Sequence, residues 1–428
     1  MNDKQAIKYI KDLGQYGSSL GLDRMKALLE YLGNPQDNIH VIHIAGTNGK
    51  GSVTSYITSI LIQSGYKTGT YTSPAISDFQ EMIQVNGYEI DKKELVACIN
   101  LIKSAIEDML ADGLQHPTEF EVITALAFLC FKESQCDFIV LETGLGGRYD
   151  ATNVMEATTC CVITAIGMDH TNFLGDSIEK IAYQKAGIIK PNSEVVLYQQ
   201  NDTIMEVIRT ECQENKAKLH IAEVNDYSLL ETSYKGQVFS YKAFKEMRIH
   251  LLGKHQIKNA ITAIEVANVL INKGFHMDEE SIKEGLAKAR WPYRFEIVSE
   301  NPFIVLDGAH NVQAAQALRQ SIEAYFPEKN ILFIFGVFKD KDYKRILEIT
   351  APLADTIITV TPNHQRALSS KEGAIIAKQF CSHVINGDTI ENAVKISLEL
   401  AKPDDVIIGF GSLSYLSALK NTWHKTIK

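Results

Sequence analysis

The chain is predicted to be α/β: a P-loop domain on a mostly parallel sheet, followed by a smaller Rossmann-like α/β domain. Three observations predict this. Short apolar runs rich in β-branched residues recur with enough chain between them for crossover helices. The first run, Val41-Ile42-His43-Ile44-Ala45, enters a glycine-rich turn holding one lysine and one hydroxyl. The runs also fall into two series, with a stretch of different character between them.

The first series occupies residues 39–44, 138–141, 160–164 and 195–198. The second occupies residues 303–306, 331–335, 356–361 and 406–409, and alternates with helical patterns at 312–325 and 390–401. Residues 229–249 are Tyr/Phe/Ser-rich with short alternation, which predicts a small antiparallel patch edging or capping the first sheet. Helical segments at 256–272 and 279–288 follow, then Arg290-Trp291-Pro292-Tyr293-Arg294. Ser299-Glu300-Asn301-Pro302 has the composition of a short linker, so the domains are expected to be 1–298 and 299–428.

With 428 residues the chain exceeds the usual limit of about 250 to 300 residues for one core, so two or three domains are expected. Its net charge of −9 disfavours nucleic acid or an anionic membrane as the main partner. No run of 18 apolar residues occurs and residues 1–15 lack a signal-peptide core, so a cytoplasmic protein is expected. Seven cysteines without a C-x-x-C pair read as buried reduced thiols, with no disulfide or zinc framework.

The chemistry concentrates at strand ends. Gly46-Thr47-Asn48-Gly49-Lys50-Gly51-Ser52 reads as a phosphate-binding loop: backbone N–H groups converge on a polyphosphate, Lys50 reaches its outer phosphates and Ser52 ligates Mg²⁺. The helical segment 53–63 adds its N-terminal donors. The spacing departs from G-x-x-x-x-G-K-[ST], since two residues separate the glycines and Gly51 precedes the serine. A second strand ends at Glu142 before Gly144-Leu145-Gly146-Gly147-Arg148, where a P-loop protein needs a metal carboxylate. A solvent-facing glutamate is the competing reading. Asp169-His170 past a third strand reads either as metal ligands or a base, or as a turn cap with a surface histidine. Lys185, before Gly187, reads either as a phosphate contact or as a helix C-terminal cation. In the second series Asp307-Gly308-Ala309-His310-Asn311, residues 335–342 and residues 409–412 put polar turns at three strand ends.

These motifs, in this order, resemble those of the folylpolyglutamate and dihydrofolate synthases of the Mur ligase family. The marks are the 46–52 loop, Thr72-Ser73-Pro74, Glu142 to Arg148 with Asp150-Ala151-Thr152-Asn153, Lys185-Ala186-Gly187-Ile188-Ile189-Lys190 and Asp307 to Asn311. The resemblance accounts for the unusual loop, which this family writes G-T-x-G-K. It implies ATP and Mg²⁺ as cofactors, with two Mg²⁺ sites and room for a monovalent cation. Ser73, Glu142 and His170 would hold Mg²⁺, and Thr47 and Lys50 would contact ATP phosphates, with Gly46, Asn48, Gly49, Gly51 and Ser52 completing the loop. Lys185 matches a lysine carbamylated in such enzymes, Asn259 and Arg294 match ATP-contacting positions, and Asp307 and His310 match second-domain residues that act on nucleotide and reacting groups.

The implied activity is ATP-dependent ligation of L-glutamate to folate, and to dihydropteroate, through an acyl phosphate. Lys50, Lys185, Asp307 and His310 are the catalytic expectations, and the partners are small molecules acted on by a monomer. Asp307→Ala is expected to spare folding and to reduce turnover. Ala75 and Glu81-Met82-Ile83 depart from the family's S-P-H-L and E-R-I forms on the folate side. Two rivals are a Mur-type ligase acting on muramoyl peptides, and a nucleotide-dependent switch that ligates nothing.

Overall fold

The computed structural model describes residues 1–17, 21–76 and 78–426, apart from the Asp3 side chain. The chain divides into two compact units. The first comprises Met1–Tyr227, Tyr241–Met247 and Lys258–Ala289, and the second Ser228–Ser240, Arg248–Ile257 and Arg290–Lys428.

The first unit holds an eight-stranded sheet of β1 (His40–Ala45), β2 (Thr68–Tyr71), β3 (Ile83–Val85), β4 (Tyr88–Glu89), β5 (Phe138–Glu142), β6 (Cys160–Ile163), β7 (Glu194–Tyr198) and β8 (Lys218–Ala222). Their spatial order is β4-β3-β2-β5-β1-β6-β7-β8. From β2 to β8 every neighbouring pair is parallel; only β3 and β4 run antiparallel to their neighbours. The middle strands explain their own burial: Phe138-Ile139-Val140-Leu141-Glu142 is buried at every position, as a parallel strand covered on both faces must be.

One face of this sheet packs on α1 (Asp3–Asp12), α2 (Asp23–Tyr31), α4 (Lys92–Ala111) and α5 (Glu119–Glu133); α3 (Lys50–Gln63) is the crossover between β1 and β2. A second core gathers beneath α6 (Thr171–Leu174), α7 (Ile178–Ala186) and α8 (Asp202–Glu214). Helix starts follow local chemistry. Thr118 and Glu121 form a reciprocal capping box on α5, and Arg24 donates two hydrogen bonds to the buried Glu121.

Residues 228–249 form a separate three-stranded antiparallel sheet, β9 (Ser228–Ser233), β10 (Gly236–Tyr241) and β11 (Phe244–Ile249), in order β11-β10-β9. The antiparallel patch expected there is present, though it is bonded to neither of the other sheets. Helices α9 (Lys254–Asn272) and α10 (Glu279–Lys288) follow.

The second unit carries a six-stranded sheet of β12 (Glu296–Glu300), β13 (Phe303–Asp307), β14 (Ile331–Phe335), β15 (Thr356–Val360), β16 (Val384–Asp388) and β17 (Val406–Phe410). Its order is β12-β13-β17-β14-β15-β16, parallel except for β12. Between its strands run α11 (Val312–Tyr325), α12 (Tyr343–Thr350), α13 (Ser370–Ala377) and α14 (Ile390–Leu400), and α15 (Leu413–Thr426) closes the chain's described part. The linker expected at Ser299 to Pro302 is instead the end and turn of the β12–β13 hairpin, with Glu300 paired to Phe303. Polar, proline-bearing composition suits a tight turn as well as a linker, and a cut at 298/299 would divide β12.

Candidate active site

Five adjacent parallel strands of the first sheet, β2-β5-β1-β6-β7, end in residues that matter to the site. β2 leads to Ser73, β5 ends at Glu142, β1 enters the 46–52 loop, β6 leads to the 164–170 turn, and β7 leads to Gln200. Register makes them neighbours: Ile44 of β1 is opposite Glu142, and Tyr71 of β2 is opposite Leu141.

The loop is held from below by the turn after β6. Thr47 and Asn48 donate their backbone N–H groups to the Ala165 carbonyl at 2.8 and 3.0 Å. The Thr47 hydroxyl donates to the Gly167 carbonyl and accepts from the Gly167 N–H, each at 3.0 Å, and Thr164 Oγ1 donates to the Asn48 carbonyl at 2.9 Å. This corrects one expectation. The N–H groups of Thr47 and Asn48 are committed to the scaffold, so the anion donors at this helix start are the four from Gly49 to Ser52, which have no intrahelical acceptor.

The glycines are required by packing. A Cβ on Gly46 would stand 1.8 Å from Thr164 Oγ1. Gly49 has φ +88°, and a Cβ there would stand 2.6 Å from Oδ1 of the buried Asn259. Asn259, predicted as an ATP-contacting residue, therefore abuts the loop.

Two buried ionisable side chains stand against the loop. Glu142 is 4 % exposed, and its Oε1 lies 3.7 Å from Lys50 Nζ, so the solvent-facing reading fails. Lys185, at the end of α7, is also 4 % exposed and donates from Nζ to the Gly46 carbonyl at 2.8 Å. Burial and then the nearby Lys50 ammonium pull its pKa down to about 7, against opposing pulls from Asp169 and Asp150. Lys185 is thus neither a surface helix-end cation nor a group extended into solvent. His170 caps the short α6 with φ 51°, its side chain 39 % exposed and its Nε2 3.9 Å from Asp169 Oδ1. Ser73 is half-buried just beyond β2.

No group of three or more His, Cys, Asp or Glu gathers around a metal position among the described residues. That suits Mg²⁺, which needs only one or two protein carboxylates beside phosphate and water oxygens. The donors fit: Glu142 is a buried carboxylate, and Ser52 Oγ is buried with no hydrogen-bond partner.

Behind Glu142 stands a network that the motif reading did not anticipate. Asp150 accepts from the Leu145 N–H at 2.7 Å and from Thr152 Oγ1 at 2.6 Å. Because the Thr152 proton is spent on Asp150, the 2.8 Å contact from His43 makes Nε2 of that ring the donor. Burial, then Lys190, drops the His43 pKa to about 3, so the ring is neutral. Asn153 donates to the carbonyls of Arg148 and Gly187, while Arg148 pairs with Glu211 at 2.8 Å and stacks on Tyr183. The D-A-T-N and K-A-G motifs thus brace each other. No sequence signal marked His43, which sits within the apolar run of β1.

The second unit builds a turn at the end of β13. Asp307 is 8 % exposed, and its two carboxylate oxygens accept from the N–H groups of Phe295 and Ala309, each at 2.8 Å. Burial raises its pKa, opposed by Arg294 and these hydrogen bonds. His310 Nδ1 donates to the Gly308 carbonyl at 2.8 Å, and Asn311 caps α11 by accepting from the Ala314 N–H. Arg294 is half-buried nearby. Asp307 is therefore first a builder of its turn, and in an alanine variant two N–H groups would lose their acceptors.

A phosphate loop on a parallel sheet with a buried carboxylate beside it, joined to a Rossmann-like unit, defines an α/β P-loop protein of two units. Residues 44–267 match the Mur ligase middle domain, and residues 293–413 match the Mur ligase glutamate ligase domain. The chain is 36 % identical over 426 residues to the dihydrofolate synthase/folylpolyglutamate synthase of Bacillus subtilis, covering 97 % of this chain and 98 % of that one. Its fold is similar to that of Mycobacterium tuberculosis folylpolyglutamate synthase complexed with ADP, with a TM-score of 0.90, 28 % identity and 99 % coverage of both chains. It is also similar to Escherichia coli FolC in complex with DHPP and ADP, with a TM-score of 0.88, 28 % identity, and coverage of 100 % of this chain and 99 % of that one. The chain belongs to the Mur ligase family, among its folylpolyglutamate and dihydrofolate synthases, and is a ligase that forms carbon–nitrogen bonds.

Proposed function

We propose that this ligase joins L-glutamate to the carboxylate of tetrahydrofolate, and of dihydropteroate, with ATP as the activating substrate. The observation that carries the reading is the phosphate loop, with Lys50 and Lys185 on it and Glu142 beside it. ADP complexes of two similar structures support the nucleotide, and DHPP in one of them supports a pterin substrate.

A carboxylate resists attack by an amine because it is anionic and lacks a leaving group. Transfer of the γ-phosphoryl group forms a carboxyl-oxygen-to-phosphorus bond and releases ADP. The glutamate amine then attacks the carbonyl carbon, loses a proton, and expels inorganic phosphate. Lys50 and the first-turn N–H groups of α3 neutralise charge on the phosphoryl oxygens in the first step. Ser52 and Glu142 would hold Mg²⁺, with Ser73 and His170 from neighbouring strand ends; when bound, the ion supplies Lewis-acid stabilisation of the phosphates. Arg294 contributes a guanidinium for the nucleotide, and His310, its Nδ1 held by the Gly308 carbonyl, orients phosphate or glutamate.

Lys185 suits carbamylation. With a pKa of about 7 much of it is a neutral amine, whose lone pair can add to CO₂, form an N–C bond and release a proton. The first unit is the ATP and folate domain on this reading, and the second the glutamate domain. A monomer in the cytoplasm is consistent with the net negative charge and seven free cysteines, and no helix among the described residues is long and apolar enough to cross a membrane.

The test is phosphate release with ATP, L-glutamate and either dihydropteroate or tetrahydrofolate, followed by product mass. Glutamate-dependent release with a product one glutamyl residue heavier is expected. Lys50→Ala should lower turnover by about 10²- to 10³-fold, and full activity in that variant would remove the phosphate-loop assignment.

A further inference from the structure

The phosphate loop depends on a side chain 150 residues away in the chain. β7 pairs with β6 only as far as Ile163 and Leu197, while on its other side the pairing with β8 continues, the Gln199 N–H donating to the Ala222 carbonyl at 3.2 Å. At that point the Gln200 side chain takes over the ladder. Its Oε1 accepts from the Ile166 N–H at 2.6 Å, and its Nε2 donates to the Thr164 carbonyl at 3.2 Å. A carboxamide carries the same donor and acceptor as a peptide group, so it can extend a parallel ladder by one rung. The backbone partners also fix which end is oxygen, because an N–H requires an acceptor and a carbonyl requires a donor.

The two clamped groups flank Ala165, whose carbonyl receives the N–H groups of Thr47 and Asn48. The Thr164 hydroxyl and the Gly167 N–H of the same turn bind Asn48 and the Thr47 hydroxyl. These bonds to the loop all come from the four-residue segment Thr164 to Gly167, and Gln200 bonds it on both sides of the Ala165 carbonyl.

We propose that Gln200 is a positioning residue for nucleotide binding: its amide fixes the Thr164–Ala165–Ile166 segment, which sets the place of the phosphate loop. The proposal rests on the ligase reading above. Nucleotide affinity should therefore depend on Gln200, and folate affinity should not.

The test is direct titration of the parent, Gln200→Met and Gln200→Glu with a nonhydrolysable ATP analogue and, separately, with tetrahydrofolate, alongside thermal unfolding. Gln200→Met removes both bonds at nearly constant volume. Gln200→Glu keeps the acceptor but sets a carboxylate oxygen against the Thr164 carbonyl. Each variant should raise the Kd for the analogue by about tenfold, with the Kd for tetrahydrofolate within twofold of the parent. If the analogue Kd stays within twofold while only the unfolding temperature falls, Gln200 is merely structural and the proposal is overturned. Equal weakening of both ligands overturns it too. A parent chain that binds no analogue overturns the ligase reading together with the clamp, whereas a binding parent with unaffected variants overturns the clamp alone.

Discussion

The carboxyl edges of the two parallel sheets solve the same problem in different ways. At the first edge, polar groups are held by partners far away in sequence: Thr47 by Gly167, Lys185 by Gly46, Ile166 by Gln200. At the Asp307 turn of the second edge these bonds are local: Asp307 to Phe295 and Ala309, His310 to Gly308, Asn311 to Ala314. Long-range bonding lets the first edge bring charges from several strands onto one loop while leaving the donors of α3 unused. Short-range bonding makes the second edge a self-contained turn whose functional side chains are also its structural ones. Function and stability should therefore separate under mutation at the first edge and move together at the second.

Lys185→Met gives the largest expected separation. Turnover should fall by about 10²-fold or more, because a donor on the phosphate loop is lost. Stability at pH 7 should be unchanged or higher, since a buried amine with a depressed pKa is replaced by an apolar chain. Steady-state rates and a denaturant titration check both parts, and a large loss of stability would contradict the separation.

Asp307→Ala should show the opposite coupling, losing about 2 to 4 kcal/mol of stability from the two N–H groups left without acceptors, together with activity. Asp307→Asn, which keeps one oxygen acceptor, should recover part of both. If the alanine variant unfolds like the parent, the second turn is not self-supporting.

The effect that is smallest at neutral pH concerns acid. Burial lowers His43 to about 3 in the first unit, and burial followed by Arg294 lowers His255 to about 4 in the second. The folded state binds fewer protons than the unfolded chain between these values and the ordinary 6.5. Each histidine's contribution is thus intact above pH 6.5 and is lost as pH falls toward the folded value, by at most about 1.4 kcal/mol per pH unit. His43→Asn and His255→Asn should each flatten the decline between pH 6 and 4 in thermal melts, and unchanged slopes would exclude these rings as its source.

The backbone architecture was largely legible in sequence. The helix at 312–325 and the strands at 331–335 and 303–307 fall where apolar runs and their spacing put them, because a doubly covered strand leaves few other compositions. The turn at 299–302 was not, since Ser, Asn and Pro serve linkers and hairpins alike. The gathering of Lys50, Glu142 and Lys185 at one loop was legible because each residue type is unusual for its setting. Gln200, Thr164 and His43 were invisible because their bonds join positions 34 to 116 apart, and a local pattern carries no trace of such partners. Asp307 carries a related ambiguity: an acid at a strand end looks the same in sequence whether it serves a ligand, its own turn or both.

The bond from Lys185 to the Gly46 carbonyl has one more consequence. An ammonium, a neutral amine and a carbamate nitrogen each keep at least one N–H, so each can make that bond. On the carbamylation proposed above, the residue would change the field at the start of the phosphate loop from positive through neutral to negative while the loop's anchor stays where it is. Charge is adjustable at this position because geometry is not.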